Sequence, residues 1–431
     1  MSGGRERDAA PGCSPAAPAG SGAQAARGPD PRAGRQAGGY LALDERVSLR
    51  RLEQLYLYDR RTDELYEVNE TAWRFLERAD GVTPGLVREA DPDFLAVLLE
   101  EGLARITPAP AAMARRPPVG CQGAPSLRYL ELYLTERCNL SCGHCFLGAG
   151  GRTDLAVETA LRVFDEFDAL GGLRLLLTGG EALLHPAFPE INWALRNRGF
   201  RAVLLSNGTL LADVAAGLHV QEVQVSLDGL RDAHDALRGP GVFDRALRGL
   251  RAAAAAGLDV SVATMVTALN REDFPALGDL VRGLGARAWH VDVPSACGAL
   301  AGRPDLMLPP GEAAPYLDYA YGGGAHDAVP GAICGSHLMA VFADGLGAKC
   351  GFYHEEPVGR VEEGLQVLWR RVPRPPVASL SCACAYLEEC HGGCRFRART
   401  YNGSDSPDPV QCHRRGVLAP SSSEEVPRDD P

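Results

Sequence analysis

Six short apolar runs recur along the middle of the chain, and each precedes a stretch with helical spacing. The runs centre on Leu130, Leu175, Leu204, Val225, Ala263 and Val291. This alternation predicts parallel β-α units, because parallel strands need a crossover connection that a helix supplies. In the first such helix, Leu161, Phe164 and Phe167 share one face, which predicts a buried stripe. We therefore predict an α/β fold built on a partial (β/α)6 TIM-type barrel.

Three cysteines, Cys138, Cys142 and Cys145, follow the first apolar run with a C-x3-C-x2-C spacing. Thiolates suit iron-sulfur clusters or zinc, and a four-iron cluster normally takes four of them. Three thiolates leave one iron with an open position that a substrate or cofactor can enter. A zinc ribbon is the alternative, but no second cysteine pair at zinc-ribbon spacing lies near. The spacing therefore favours an iron-sulfur site.

Glycine or polar residues close the later runs. They are Thr178, Gly179, Gly180, Glu181, Asn207 and Ser226. Glycine lets a backbone approach a ligand closely, and a carboxylate can receive an ammonium group. In barrels of this kind the ligand lies at the C-terminal ends of the strands, where these residues and the three cysteines all fall. The pattern predicts one shared site.

These residues resemble the radical S-adenosylmethionine (SAM) enzymes, in which the C-x3-C-x2-C cysteines hold a 4Fe-4S cluster. The resemblance implies that SAM fills the open iron and is split to a deoxyadenosyl radical, which takes hydrogen from an unactivated carbon. It implies that the run from Thr178 to Glu181 grips the amino group of SAM. It also places Ser226 near the ribose, Arg238 near the carboxylate and His144 near adenine, with Asn207 close by. No catalytic residue beyond the cluster ligands is assigned.

Seven more cysteines lie between Cys334 and Cys412. Disulfides are the usual explanation of dense cysteines, but no secretory signal opens the chain and a cytosolic setting keeps thiols reduced, so metal is favoured. The run from Cys384 to Cys394 resembles the SPASM extension of radical SAM peptide maturases, although Ser381 stands at its first cysteine position. The resemblance implies two auxiliary 4Fe-4S clusters, the first with one iron open to substrate or to a non-cysteine ligand. The ligand sets would be Cys334, Cys350 and Cys394 for one, and Cys382, Cys384, Cys390 and Cys412 for the other. Cys13, Cys121 and Cys297 stay unassigned.

A different pattern precedes the barrel. From Tyr40 to Ile106, two strands flank a polar turn, Asn69 begins one helix and Asp91 another, which predicts a small winged-helix-like α+β domain. The run from Asp59 to Ala72 resembles the PqqD-like recognition element of ribosomally made peptide pathways, which binds a leader peptide as an added strand. The alternative is an ordinary winged helix that binds DNA. Acidic residues outnumber basic ones in this segment, which disfavours phosphate contacts.

The predicted organisation therefore has six parts. They are a disordered tail (1–39), a PqqD-like recognition domain (40–106), a Pro- and Ala-rich linker (107–124), the radical SAM barrel (125–300), a SPASM domain (301–412) and a flexible tail (413–431). The formal charge of −11 and the lack of an apolar run of membrane length predict a cytoplasmic protein without nucleic-acid or membrane partners.

The predicted function is hydrogen-atom abstraction from a ribosomally synthesised precursor peptide, with a thioether or carbon-carbon crosslink as the leading product. A reductase, flavodoxin or ferredoxin would supply the electron. Two alternatives stay open: a radical SAM maturase acting on a protein side chain or a small molecule, and an iron-sulfur binding or electron-transfer protein without SAM chemistry.

Overall fold

The computed structural model of the chain describes residues 39–112, 119–120, 125–148, 150–322, 331–403 and 405–417. The predictions for residues 1–38 and 418–431, for most of the linker, and for Cys13 and Cys121 lie outside the described residues. None of the helices within these ranges is long and apolar enough to cross a membrane.

A small front domain, residues 40–107, precedes the barrel and contains both predicted helix caps. The Asn69 side chain accepts a hydrogen bond from the Ala72 amide at 2.9 Å, and Asp91 accepts from the amides of Asp93 and Phe94, both at 3.0 Å. These bonds satisfy amides that the first helical turn leaves without partners. The elements are β1 (Tyr40–Leu43), β2 (Val47–Arg51), β3 (Leu55–Asp59), β4 (Glu64–Glu67), α1 (Glu70–Leu76), α2 (Leu86–Glu89), α3 (Pro92–Glu100) and β5 (Ala104–Thr107).

Two small sheets build the front domain. One pairs β1 with β5, and the other has the order β4-β3-β2-β6, where β6 is Val119–Gly120. Strand β6 lies inside the predicted linker and pairs in parallel with β2, so part of that segment belongs to the sheet. Strand β4 forms the opposite edge, and no strand in the described part of the chain pairs with its outer side. Such an edge presents backbone groups that can bind another strand.

The barrel contains the six predicted strands, all in parallel register, which confirms that prediction. Phe164 and Phe167 are fully buried in the first barrel helix and Leu161 packs beside them, as their spacing predicts. The strands are β7 (Tyr129–Thr135), β8 (Arg174–Gly179), β9 (Arg201–Ser206), β10 (Glu222–Ser226), β11 (Asp259–Met265) and β12 (Ala288–Asp292). The helices are α4 (Val157–Ala169), α5 (Phe188–Ala194), α6 (Leu211–Val214), α7 (Arg231–Arg238), α8 (Val242–Ala255) and α9 (Phe274–Gly283).

The sheet does not end with the barrel strands. Strand β13 (Leu338–Val341) pairs in parallel with β7, and β14 (Leu346–Ala348) and β15 (Gly359–Arg360) extend it to nine strands. The predicted boundary at residue 300 therefore divides one sheet. The remaining helices are α10 (Pro310–Ala313), α11 (Leu365–Arg371), α12 (Leu387–Cys390), α13 (Arg395–Asn402) and α14 (Pro409–Arg414). Helix α14 continues into the predicted tail, and Asp408 caps it by accepting from the Val410 amide.

The front domain docks beneath the N-terminal ends of the barrel strands. Arg201, the first residue of β9, is fully buried and donates to the Arg61 carbonyl at 2.7 Å, in the turn between β3 and β4. The same guanidinium lies 2.9 Å from the Glu222 carboxylate and 2.5 Å from that of Asp259, at the starts of β10 and β11. This arginine therefore joins three barrel strands to the front domain.

A second group of contacts holds the same turn in place. The Tyr58 hydroxyl lies 2.7 Å from the Asp63 carboxylate and 3.0 Å from the Leu173 carbonyl. Asp63 also pairs with Arg174, the first residue of β8. Buried charges are costly unless they are paired, and here each has a partner across the boundary. The two domains consequently meet through a closed polar network.

Candidate functional site

A cavity of about 850 Å³ opens at the other end of the barrel, where β8 to β12 finish. We call it the thiol cavity. It gathers every residue that the sequence analysis assigned to the cluster or to SAM except Glu181. Those lining it are Cys138, Cys142, His144, Cys145, Thr178, Gly179, Gly180, Asn207, Ser226 and Arg238. The predicted convergence on one rim of the sheet thus holds for these residues.

The two glycines at the end of β8 are required by the chain that leads into the first cysteine. A Cβ on Gly180 would lie 2.4 Å from the Arg137 carbonyl oxygen, and one on Gly179 would lie 2.2 Å from that of Thr135. Gly179 also has a φ of 138°, which L side chains rarely adopt. The glycines therefore let the end of β8 pack against the segment that positions Cys138.

Glu181 lies behind the cavity wall and not on it. Its side chain is 1% exposed, and its carboxylate accepts hydrogen bonds from the Ser206 hydroxyl at 3.0 Å and the Asn207 amide at 2.9 Å. Burial raises the pKa of Glu181, although these donors favour its ionised form. The sequence analysis placed this carboxylate against an ammonium group. In the structure its hydrogen bonds tie the loop after β8 to the end of β9.

A buried charged group forms one side of the thiol cavity. Asp228 accepts from Arg238 Nε at 2.5 Å and lies 3.0 Å from His144 Nε2. Burial opposes ionisation of Asp228, but Arg238 and His144 outweigh it and hold its pKa well below the usual range. Nδ1 of His144 is buried without a hydrogen-bond partner among the described residues. Sequence reasoning missed Asp228, although it closes the same apolar run as Ser226.

Cys138, Cys142 and Cys145 are free thiols. The pKa of Cys142 is raised to about 11, because burial and the neighbouring thiols outweigh the opposing effect of Arg238, which lies 4.0 Å from its sulfur. A metal that binds the Cys142 sulfur must therefore displace its proton.

The donor set fits an iron-sulfur cluster better than a mononuclear site. Over the described ranges, no group of three or more His, Cys, Asp or Glu side chains is arranged to hold a single metal ion. A four-iron cluster is bound by thiolates on separate irons, so its ligands do not converge on one point. Three soft donors, an unsatisfied His144 nitrogen and the volume of the thiol cavity fit a cluster with a small cofactor beside it.

The family resemblance divides the later cysteines into two predicted sets. Four of them line one small hollow, namely Cys382, Cys384, Cys390 and Cys412. Cys334, Cys350 and Cys394 make up the other predicted set. Burial raises the pKa of Cys350, and the Glu131 carboxylate and the sulfurs of Cys334 and Cys394 also raise it. Cys297 joins neither set and lines a second cavity described below.

Known proteins are similar to this chain in both sequence and fold. Residues 132–281 match the family model of the radical SAM superfamily. The mycofactocin maturase MftC of Mycolicibacterium smegmatis is 30% identical over 319 residues, which covers 64% of this chain and 80% of that protein. The chain belongs to the radical SAM superfamily.

Other known proteins match this radical SAM chain over shorter or longer stretches. An AdoMet-dependent heme synthase from Nitratidesulfovibrio vulgaris is 30% identical over 208 residues, covering 46% of this chain and 57% of that protein. The chain spans about half the length of the heme synthase relatives that it matches. The crystal structure of Streptococcus suis SuiB bound to the precursor peptide SuiA has a TM-score of 0.60 at 14% identity. It covers 85% of this chain and 98% of that chain, so the two share a fold.

Proposed function

We propose that this radical SAM enzyme modifies a ribosomally synthesised precursor peptide. The observation that carries the proposal is the thiol cavity, where three free cysteines, the glycine loop and a buried charged group meet at the C-terminal ends of the strands. The length of the matches supports a peptide substrate. The MftC match covers 80% of that maturase, whereas the heme synthase match covers 57% of its protein.

Cys138, Cys142 and Cys145 would hold a 4Fe-4S cluster with SAM beside it, and this pair supplies the radical that removes a hydrogen atom from the substrate. The residues around these cysteines would position SAM and shield it from water. Arg238 is fixed by Asp228 and places a cation beside the thiols, where a carboxylate can bind. The backbone of Gly179 and Gly180 forms the wall where the amino group of SAM would lie, with Ser226 near its ribose.

The front domain would bind the leader of the precursor as a PqqD-like element. The feature in favour is the outer edge of β4, which pairs with no strand among the described residues. An extended peptide can add there by backbone hydrogen bonds, while pockets for alternate side chains give specificity.

The two later cysteine sets would hold auxiliary 4Fe-4S clusters. The set of Cys334, Cys350 and Cys394 has three thiols, so one iron would stay open to a substrate thiolate or to another ligand. An additional electron acceptor suits a net oxidation, so a thioether or carbon-carbon crosslink is the product we propose. A reductase, flavodoxin or ferredoxin would supply the electron that starts the reaction.

The test is the release of deoxyadenosine when anaerobically reconstituted, reduced protein meets SAM. We expect release even without peptide, and none from a variant in which Cys138, Cys142 and Cys145 are all alanine. Three clusters predict about twelve irons per chain. About four irons would limit the protein to a single cluster and remove the auxiliary ones from the proposal.

A further inference from the structure

A second cavity, of about 480 Å³, lies beside the thiol cavity, between the end of β7 and the segment that follows β13. We call it the aromatic cavity, because six rings line it. They are Tyr133, Phe146, Phe342, Phe352, Tyr353 and Phe396. Neither the cluster ligands nor the SAM residues of the proposed function account for this concentration of rings.

The rings support one another and so form a cavity without a ligand. Tyr133 and Phe342 stack with centroids 4.8 Å apart, and Phe352 and Phe396 stack at 4.9 Å. Phe146 connects the two pairs, because its centroid lies 5.4 Å from that of Phe352 and 6.5 Å from that of Tyr133. Offset and edge-on aromatic contacts of this kind fix ring positions. The cavity is therefore preformed, which lowers the entropic cost of binding.

The aromatic cavity opens onto the place where the radical would form. Glu136, Phe146, Leu147 and Gly150 line both cavities, and Phe146 directly follows Cys145. The Phe146 ring is 36% exposed, although Tyr133 and Phe342 beside it are buried. An exposed ring at the junction of two cavities is typical of a surface that a ligand covers.

The aromatic cavity borders the segment of the later cysteines, because Gly351, which directly follows Cys350, lines it. Cys334, Cys350 and Cys394 do not line it, and among the described cysteines only Cys297 does. Its volume falls within the range of small-ligand sites, which suits one large side chain with adjoining backbone.

The mouth of the aromatic cavity is acidic. Glu136, Glu355 and Glu356 lie there, and the one arginine, Arg399, is paired with Glu356. This charge disfavours an acidic side chain or a free carboxylate, since like charges repel. The ring walls offer an apolar occupant faces and edges to stack against.

We propose that the aromatic cavity binds an aromatic side chain of the substrate peptide and so places that residue, or its neighbour, beside the radical source. This inference rests on the proposed function and adds the class of residue that the enzyme selects. An aliphatic side chain of similar size fills the volume but gains no ring stacking, so we expect it to bind more weakly.

The test uses reconstituted full-length protein and three probes: N-acetyl-L-tryptophanamide, N-acetyl-L-leucinamide and N-acetyl-L-glutamate amide. Binding is measured by saturation-transfer NMR titration. We expect the tryptophan probe to bind at least about fivefold more tightly than the leucine probe, with no saturation transfer to the glutamate probe. Equal binding of the tryptophan and leucine probes, or no binding of either, would overturn the proposal.

Two variants locate the binding. Phe352→Leu and Phe146→Leu should each lower the affinity for the tryptophan probe by about fivefold. Phe146 is the more exposed ring, so its replacement keeps the test decisive if Phe352→Leu does not fold. The matched control is Phe94→Leu, which removes a ring from the Phe75–Phe94 pair of the front domain, with centroids 6.0 Å apart. A loss in the control equal to that in the cavity variants would contradict the assignment.

Deoxyadenosine is measured in the same samples to separate the two proposals. Release of deoxyadenosine without preferential binding of the tryptophan probe contradicts only the proposal that the aromatic cavity selects an aromatic side chain. Preferential binding of that probe without release of deoxyadenosine supports the proposed role of the aromatic cavity and contradicts the proposed radical chemistry.

Discussion

The two ends of the central sheet differ in how their polar groups are used. At the N-terminal ends, Arg174 and Arg201 begin neighbouring strands, and both pair with carboxylates and contact the turn of the front domain. At the C-terminal ends, glycines replace large side chains, and the thiols face a cavity of about 850 Å³. One end is closed by paired charges, whereas the other is open to a ligand. This division is typical of barrels whose chemistry lies at the C-terminal face.

The comparison predicts that removing the three thiols affects chemistry without affecting folding. In the variant with alanine at Cys138, Cys142 and Cys145, deoxyadenosine release should fall to background, because these three are the described cysteines that line the thiol cavity. The free energy of unfolding of the metal-free protein should change by less than about 2 kcal/mol. Urea unfolding and product chromatography measure the two quantities. Persistent release would show that the open end does not hold the reactive cluster.

The opposite result is expected at the closed end. Arg201→Met should lower the free energy of unfolding by about 3–5 kcal/mol, because Glu222 and Asp259 lose their shared buried partner. The control is Arg282→Met, which breaks a surface pair with Asp279 and should cost less than about 0.5 kcal/mol. Urea denaturation compares the two. Equal effects would mean that the polar network contributes little to stability.

Gly180→Ala tests the open end with one methyl group. The new Cβ would lie 2.4 Å from the Arg137 carbonyl, so the segment before Cys138 must move. We expect deoxyadenosine release to fall about tenfold, equivalent to about 1.4 kcal/mol. Gly217→Ala is the matched control, because nothing lies within 4 Å of its added Cβ. If both variants keep full activity, the close packing of the glycine loop is not needed.

The smallest expected effect concerns one hydroxyl at the closed end. Tyr58→Phe removes one hydroxyl that contacts both the Asp63 carboxylate, which keeps its pair with Arg174, and the Leu173 carbonyl, which keeps the Arg201 amide. The loss should cost about 1 kcal/mol. Tyr316→Phe is the control, since the Tyr316 hydroxyl makes no hydrogen bond within the described residues. Urea denaturation of the two variants would measure the difference in their free energies of unfolding. Equal stability would show that the Tyr58 hydroxyl does not stabilise the contact between the two domains.

Local patterns predicted much of this fold. The six barrel strands, the capping by Asn69 and Asp91, and the buried face with Phe164 and Phe167 follow from spacing within a few residues. The pairing of β13 with β7 could not be predicted, because it joins segments about 200 residues apart and a four-residue apolar run carries no sign of its partner.

The site was only partly predictable for the same reason. Residue type, position at strand ends and the family resemblance identified ten of the residues that line the thiol cavity. The contacts of Glu181 with Ser206 and Asn207 were not predictable, because they depend on how two loops meet. Asp228 was overlooked although its signal was present. The division of the later cysteines into two sets rests only on the family resemblance, since seven thiols can be grouped in several ways.

The docking of the front domain under the barrel sets a length requirement on the proposed precursor. Strand β7 has seven residues, so the sheet is about 23 Å tall. A leader added to β4 would be fixed at the N-terminal ends of the barrel strands, and the peptide beyond it would have to span the height of the sheet to reach the thiol cavity. At least about seven extended residues are needed for that height alone. A suitable precursor therefore carries a spacer between its anchor and the residue that reacts.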